Sequence, residues 1–235
     1  METALMAGLR PHAPVSETSE TPLSQRADLA AEVAAEFADQ VDRESRFPEE
    51  ALGALQTQRL MGVLIPRELG GEGARLRDVS EICYRLARRC SSTAMIFAMH
   101  QCCVACLVRH GRGSVWHEEL LRQVAGAQLL LASSTTEGQG GGNVRSSQSA
   151  IEPTESGIRL DRAATVVSYG ARADGIVTTA RRSADAASND QVLVAFCRSD
   201  YALAQLGGWD ALGMRGTCSA GYALRATGHA NQIFP

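Results

Sequence analysis

Residues 129–143 read LLLASSTTEGQGGGN, and the reading of this stretch decides how the rest of the chain is understood. The apolar run Leu129, Leu130 and Leu131 reads as a strand. The hydroxyls of Ser133, Ser134, Thr135 and Thr136 follow, then the single carboxylate of Glu137, then four glycines in five residues. Glycine adopts positive φ without steric cost and lets a backbone come close to a ligand. Consecutive backbone N–H groups in such a turn can form a concave nest for an anion. Two readings stand here: a strand leading into a loop that holds a phosphate-bearing cofactor, or a plain surface loop, which glycine clusters also mark.

Upstream of residue 127 the pattern is helical. Leu29, Val33, Phe37 and Val41 recur every four residues, so the spacing predicts a helix from Leu23 with that face inward. Phe47-Pro48 ends it, and the fixed φ of Pro48 suits the start of a second helix over 49–59. Residues 61–73, MGVLIPRELGGEG, read as an apolar loop packed on the helices. A third helix is expected over 76–89, and a fourth over 92–110 that is apolar nearly all round and therefore buried. A shorter one covers 116–125.

Downstream the periodicity shortens. Candidate strands are 128–133, 147–151, 157–161, 164–168, 175–180, 191–197 and 221–226, with Gly, Asp, Ser and Pro between them. The expected class is α+β and multidomain: a flexible tail over 1–22, an all-α domain over 23–126 and an antiparallel β domain over 127–235. Arg181 to Asp190 reads as a solvated hairpin loop.

Length and composition are those of an ordinary soluble domain pair, with 45% hydrophobic and 21% charged residues in 235. A net charge of −3 gives no basic face for nucleic acid. All 23 basic residues are arginine, which excludes a lysine phosphate clamp or Schiff base and leaves arginine and backbone N–H for anion contacts. The start has no apolar core of signal length. No run is read as approaching the ~20 apolar residues of a membrane span. Seven cysteines without a secretory signal are expected to be reduced thiols in a cytoplasmic protein.

The order of helical half, TEGQGGGN, and a β half containing LGMRGTCS resembles the acyl-CoA dehydrogenase family. So do FPEEALGALQTQRLMGVLIPRELGG and CSSTAMIFAMH, and the resemblance covers most of residues 23–235. It implies a helical domain, a middle β-barrel-like domain and a C-terminal helical bundle, with FAD between the last two. The implied activity is α,β-dehydrogenation of an acyl-CoA or acyl-carrier thioester, with a carboxylate taking the α-proton and a hydride passing to flavin N5. Implied partners are an electron-transfer partner or oxygen, and further copies of the chain in a homo-oligomer.

Residue by residue, the family's T-E-P-x-x-G-S-D falls on Thr136 to Asn143, and its L-G-x-R-x-(S/T) on Leu212 to Thr217. The pattern G-x-K-x-(W/F)-I-(T/S)-(N/S)-G falls on Arg162 to Gly170. The resemblance therefore implies flavin contacts from Ser134, Thr136, Gly141, Gly142, Val166, Val167 and Ser168. Thr136 would meet the pyrimidine edge, Gly141 and Gly142 the pyrophosphate, and Ser168 the region of N5. Met95, Ala98, Met99 and Asn143 would contact the substrate. Several family side chains are replaced: proline by Gly138, serine by Gly142, aspartate by Asn143, lysine by Ala164 and the ring-stacking aromatic by Val166. Losing that stack weakens flavin binding by about 0.5–1.5 kcal/mol.

No acidic residue is assigned as catalytic base. Glu137 reads as structural, accepting loop N–H bonds, and the base is expected in the family's C-terminal bundle, beyond Pro235. These residues alone are accordingly expected not to dehydrogenate. Cys103, Cys106 and His110 share a helical face, but free cysteine also behaves as a small buried hydrophobe, and no metal site is assigned. Two other functions stand beside the dehydrogenase: a flavin monooxygenase on the same scaffold, suggested by Val166 and the VSYG sequence, and a non-catalytic paralogue serving as a binding subunit.

Overall fold

Five helices carry the first half of the chain in a computed structural model, which describes residues 21–138 and 143–235. They are α1 (Leu23–Glu44), α2 (Glu49–Thr57), α3 (Leu76–Ala87), α4 (Ser91–His110) and α5 (Val115–Ala127). The expected tail over 1–22 lies almost entirely outside the described residues. Pro48 sits at the start of α2, where Glu49 and Glu50 complement the positive end of the helix dipole. At the start of α3 the Asp78 carboxylate accepts the Arg75 N–H at 2.8 Å.

The buried face of α1 differs from the expected one. Ala27, Ala30, Ala31, Ala34 and Val41 point inward, while Leu29 is 43% exposed and Val33 and Phe37 are half-buried. Alanine's small side chain lets α1 lie close against α2 and α3, and that contact outweighs the larger residues' hydrophobicity. Arg26 is buried beside this stripe, donating to Glu72 Oε2 at 2.6 Å and to the Gln58 carbonyl at 2.9 Å, and so holds the 58–72 segment against the helix. Within that segment a Cβ on Gly71 would stand 2.1 Å from the Ile65 carbonyl oxygen, so only glycine fits the turn.

Helix α4 corrects the expectation that no segment approaches membrane-span length. Its 20 residues are long and apolar enough by composition. Ile96, Phe97, His100, Val104 and Leu107 are nevertheless packed inside the protein, as befits a core helix.

The second half folds as two sheets. Strands β1 (Leu131–Ser134), β4 (Gly175–Arg181) and β5 (Gln191–Cys197) form one, in the order β1-β4-β5. Strands β2 (Glu152–Thr154), β3 (Gly157–Ala164), β7 (Tyr222–Gly228) and β6 (Tyr201–Gln205) form the other, in the order β2-β3-β7-β6. Their inner faces meet in one core, with Ile158, Leu160, Leu224 and Ala226 from one sheet and Ile176, Val194 and Phe196 from the other.

Four strand expectations are corrected. β1 and β4 pair in parallel, so the sheets are antiparallel-rich rather than purely antiparallel. The candidates 157–161 and 164–168 are replaced by one strand, β3: its polar Asp161 and Arg162 mimic a turn, but the alternation continues and the whole of 158–164 pairs with β7. β6 was not anticipated, its short AxAQ pattern lacking a β-branched signal. Segment 147–151 is not a strand beyond a single bridge from Ala150 to Arg181. The Gln148 and Ser149 N–H groups are taken instead by the Glu137 carboxylate.

Candidate functional site

Residues 131–138 leave the first sheet and cross toward the end of β3, which sets the geometry of the site. The Thr136 hydroxyl donates to the Val166 carbonyl at 3.1 Å and accepts the Val166 N–H at 3.3 Å. These reciprocal bonds join the two sequence motifs that the resemblance placed at the flavin. They also engage the Thr136 hydroxyl that was expected to meet the ligand. Gly141 and Gly142, the expected pyrophosphate contacts, lie outside the described residues.

Beneath Thr136 sits a buried ion pair that sequence reasoning did not anticipate. The Arg162 side chain is fully buried, with Nη1 3.6 Å from Glu137 Oε1. The same guanidinium donates to the Thr179 carbonyl and, at 3.4 Å, to the Thr136 carbonyl. Glu137 accepts the Gln148 N–H at 2.6 Å, the Ser149 N–H at 2.9 Å and the Ser147 hydroxyl at 3.3 Å. Burial pushes the Glu137 carboxyl up, but these hydrogen bonds and the Arg162 charge outweigh it and hold the group below the usual carboxylate range. Burial lowers the Arg162 guanidinium, against the opposing pull of Glu137. Glu137 is thus a fixed anion that orders the loop, a poor candidate for proton abstraction. The signal for Arg162 was available: an arginine stands where the family pattern has glycine.

Ser168 belongs to a chain of buried hydroxyls. Ser168 Oγ lies 2.8 Å from Ser219 Oγ, which lies 2.7 Å from Thr217 Oγ1, which donates to the Met214 carbonyl at 2.9 Å. A carbonyl oxygen only accepts, so the order of the bonds fixes their direction. Thr217 donates to Met214 and accepts from Ser219, and Ser219 accepts from Ser168. The Ser168 proton is committed inward, leaving that oxygen only acceptor capacity toward any bound group.

The other expected contacts divide. Ser134 is fully buried and its Oγ has no hydrogen-bond partner among the described residues, while its carbonyl accepts the Thr178 hydroxyl at 2.6 Å. Val166 is 37% exposed and offers an apolar surface, whereas Val167 is in the core, so only its backbone can face a ligand. Met95, Ala98 and Met99 are half-buried and share one stripe of α4 with exposed Cys102. Asn143 is exposed and caps its own turn, accepting the Arg145 N–H at 3.1 Å and donating to Ser146 Oγ at 3.0 Å. It is not brought together with the methionines by any hydrogen bond described. Cys103 is buried, Cys106 half-buried and His110 exposed, and among the described residues no three His, Cys, Asp or Glu side chains converge on a metal-sized site.

The seam between helices and sheets holds the site rigid. The Leu131 N–H donates to His100 Nδ1 at 3.0 Å, which places the ring proton on Nε2, 2.9 Å from the Met61 carbonyl. The imidazole is fully buried and its pKa is lowered to about 4 by that burial. On the other side, Arg215 Nε donates to the Asp42 carbonyl at 2.8 Å and the Gly216 N–H to Ser92 Oγ at 3.2 Å. The LGMRGTCS segment therefore serves two ends: it locks α1 and α4 to the sheets and supplies the hydroxyls behind Ser168.

Residues 16–127 match the family model for the acyl-CoA dehydrogenase N-terminal domain. The chain is 30% identical over 209 residues to L-evernosamine nitrososynthase of a Micromonospora species, covering 86% of this chain and 48% of that protein. It is 36% identical over 96 residues to the probable acyl-CoA dehydrogenase FadE25 of Mycobacterium tuberculosis, covering 41% of this chain and 23% of that one. Among solved structures, FMN-bound TdsC from Paenibacillus sp. A11-2 superposes with a TM-score of 0.81 at 19% identity, covering 91% of this chain and 53% of TdsC. The chain spans about half the length of the nitrososynthase it matches.

Proposed function

The chain belongs to the acyl-CoA dehydrogenase-fold family, and from that premise we propose that it is the flavin-seating portion of a flavin-dependent monooxygenase, acting on a small substrate at the open face of α4. The observation that carries a flavin seat is the joining of Thr136 to Val166 beside the buried Ser168 hydroxyl chain. Half-exposed Val166 fits the face of a planar ring. Bound there, as FMN or FAD, reduced flavin would supply two electrons to O2, one oxygen atom passing to substrate and the other leaving as water.

The residues of this chain have three tasks in that reading. Arg162 and Glu137 fix the loop that carries Thr136. Ser168 accepts a hydrogen bond from the ring but does not donate one, which favours a ring that carries a proton at that edge, as reduced flavin does. Met95, Ala98 and Met99 give the substrate an apolar wall. The long match to a nitrososynthase supports oxygen chemistry over dehydrogenation, for the dehydrogenase FadE25 matches less than half of the chain.

The second reading, acyl-CoA dehydrogenation, is favoured by the family-model match. One pair of measurements on the full-length protein separates them. Mixing the reduced flavoprotein with 18O2 and an amine or sulfide substrate is expected to place 18O in the product. Anaerobic bleaching of the oxidised flavoprotein by an acyl-CoA, without 18O transfer, would favour the dehydrogenase instead. Protein that stays colourless after incubation with both FMN and FAD would defeat both and point to a binding subunit.

A further inference from the structure

A cleft of about 340 Å³ opens where the turn after α1 meets the second sheet, and the flavin seat does not use it. Phe47, Tyr169, Trp209 and Tyr222 are among the residues that line it. It lies behind the flavin seat: Ser168 and Ser219 belong to the hydroxyl chain, while their neighbours Tyr169, Cys218 and Ala220 line the cleft. A concave space of this size that combines aromatic side chains with a few polar groups is a common form of small-molecule site.

Three polar groups converge. The Tyr222 hydroxyl makes no hydrogen bond among the described residues, although it lines the cleft. The Gln205 amide uses its N–H on the Gly207 carbonyl at 2.8 Å and keeps its oxygen free. The Arg172 guanidinium stands 6.0 Å from the Phe47 ring centroid and is held at the rim by Glu49. Both members of that pair are about half exposed, a setting in which an ion pair contributes little and yields readily to another anion.

The backbone supplies an independent observation. Three lining residues that are not glycine have left-handed backbones: Ser45 at φ 51°, Tyr169 at φ 44° and Cys218 at φ 45°. For tyrosine and cysteine this conformation is strained, and such residues cluster at ligand sites because the surroundings must hold them there. Here the Tyr169 N–H is held by the Thr217 carbonyl at 2.8 Å and its phenol by the Leu131 carbonyl at 3.1 Å, while Cys218 Sγ reaches the Ser45 carbonyl at 3.6 Å.

We propose that this cleft binds a small aromatic carboxylate, its ring against Trp209 and its carboxylate on Arg172. The volume suits one ring with a short acid arm, and a guanidinium beside aromatic walls recognises both parts. The test is saturation-transfer NMR on the full-length protein with benzoate and phenylacetate as probes, and cyclohexanecarboxylate and benzyl alcohol as controls. We expect saturable binding of the aromatic acids at about 1 mM or tighter. Arg172→Ala should weaken it roughly tenfold by removing a charge-assisted bond, leaving benzyl alcohol unchanged, and Trp209→Ala should weaken both aromatic probes. Arg172 is exposed and Trp209 only partly buried, and circular dichroism of both variants checks that they fold. Absence of saturable binding, indifference to both variants, or displacement of the probes by added FMN or FAD would each overturn the proposal.

Discussion

Replacing Glu137 with glutamine tests the electrostatics beneath the glycine loop. The amide keeps the shape of the carboxylate and an oxygen for one of the Gln148 and Ser149 N–H groups, but it sets an NH2 against the other and removes the charge 3.6 Å from Arg162. Arg162, with a fully buried side chain, is left as an uncompensated cation whose Nη2 has no partner among the described residues. Breaking one side of such a pair costs about 3–5 kcal/mol. For a chain of this size that lowers Tm by roughly 6–20 °C. Adding Arg162→Met removes the stranded charge, while the glutamine oxygen still accepts one of the two N–H groups. The double variant should therefore recover roughly 1–3 kcal/mol over the single. Urea denaturation at pH 7 followed by circular dichroism, with m unchanged between variants, reads both numbers. A single variant that loses less than about 1 kcal/mol, or a double variant no more stable than it, would refute the buried-pair reasoning. A Glu137→Gln protein that folds normally but cannot turn over would give Glu137 a catalytic role in place of the structural one.

Three further outcomes are expected. Stability should fall as pH drops from about 6.5 toward 4. Buried His100 and His117 have pKa values lowered to about 4, so the unfolded chain binds more protons in that window; His100→Gln should flatten the urea-derived stability curve there. Gly216→Ala should destabilise the seam by about 1–3 kcal/mol, because its Cβ would stand 2.3 Å from Val41 Cγ1 and 3.1 Å from the Arg46 carbonyl oxygen; an unchanged Tm would contradict the close packing. Of the seven free thiols, exposed Cys102 should react first with a disulfide reagent, and buried Cys103 and Cys197, both pushed up to about 12, last; mass mapping of the labelled peptides reads the order.

The helices were legible because their evidence is local. The spacing of apolar residues named every one of them, and Pro48 and the glycines after His110 marked ends. The strands were legible where alternation was clean, as over Gln191–Cys197, and illegible where a side chain from elsewhere claimed the backbone. Residues 147–151 have the residues of a strand, yet Glu137 takes two of their N–H groups. The buried face of α1 was misread for a related reason: hydrophobicity favoured leucine and phenylalanine, but close helix contact selected alanine.

By itself the sequence determined the order of a helical half and a β half, and motif spelling identified the loop as a cofactor candidate. Only the tertiary structure decided what that loop rests on. It set Arg162 beneath Glu137, gave the Ser168 proton its direction, and fixed the His100 tautomer through Leu131. The physical reason is distance along the chain. Periodicity and turn chemistry are set by neighbours a few residues apart, whereas a buried polar group takes whichever partner the fold delivers, as Arg215 takes the Asp42 carbonyl 173 residues away. The glycine loop could be recognised from its letters; the charge and hydroxyl network that holds it in place could not.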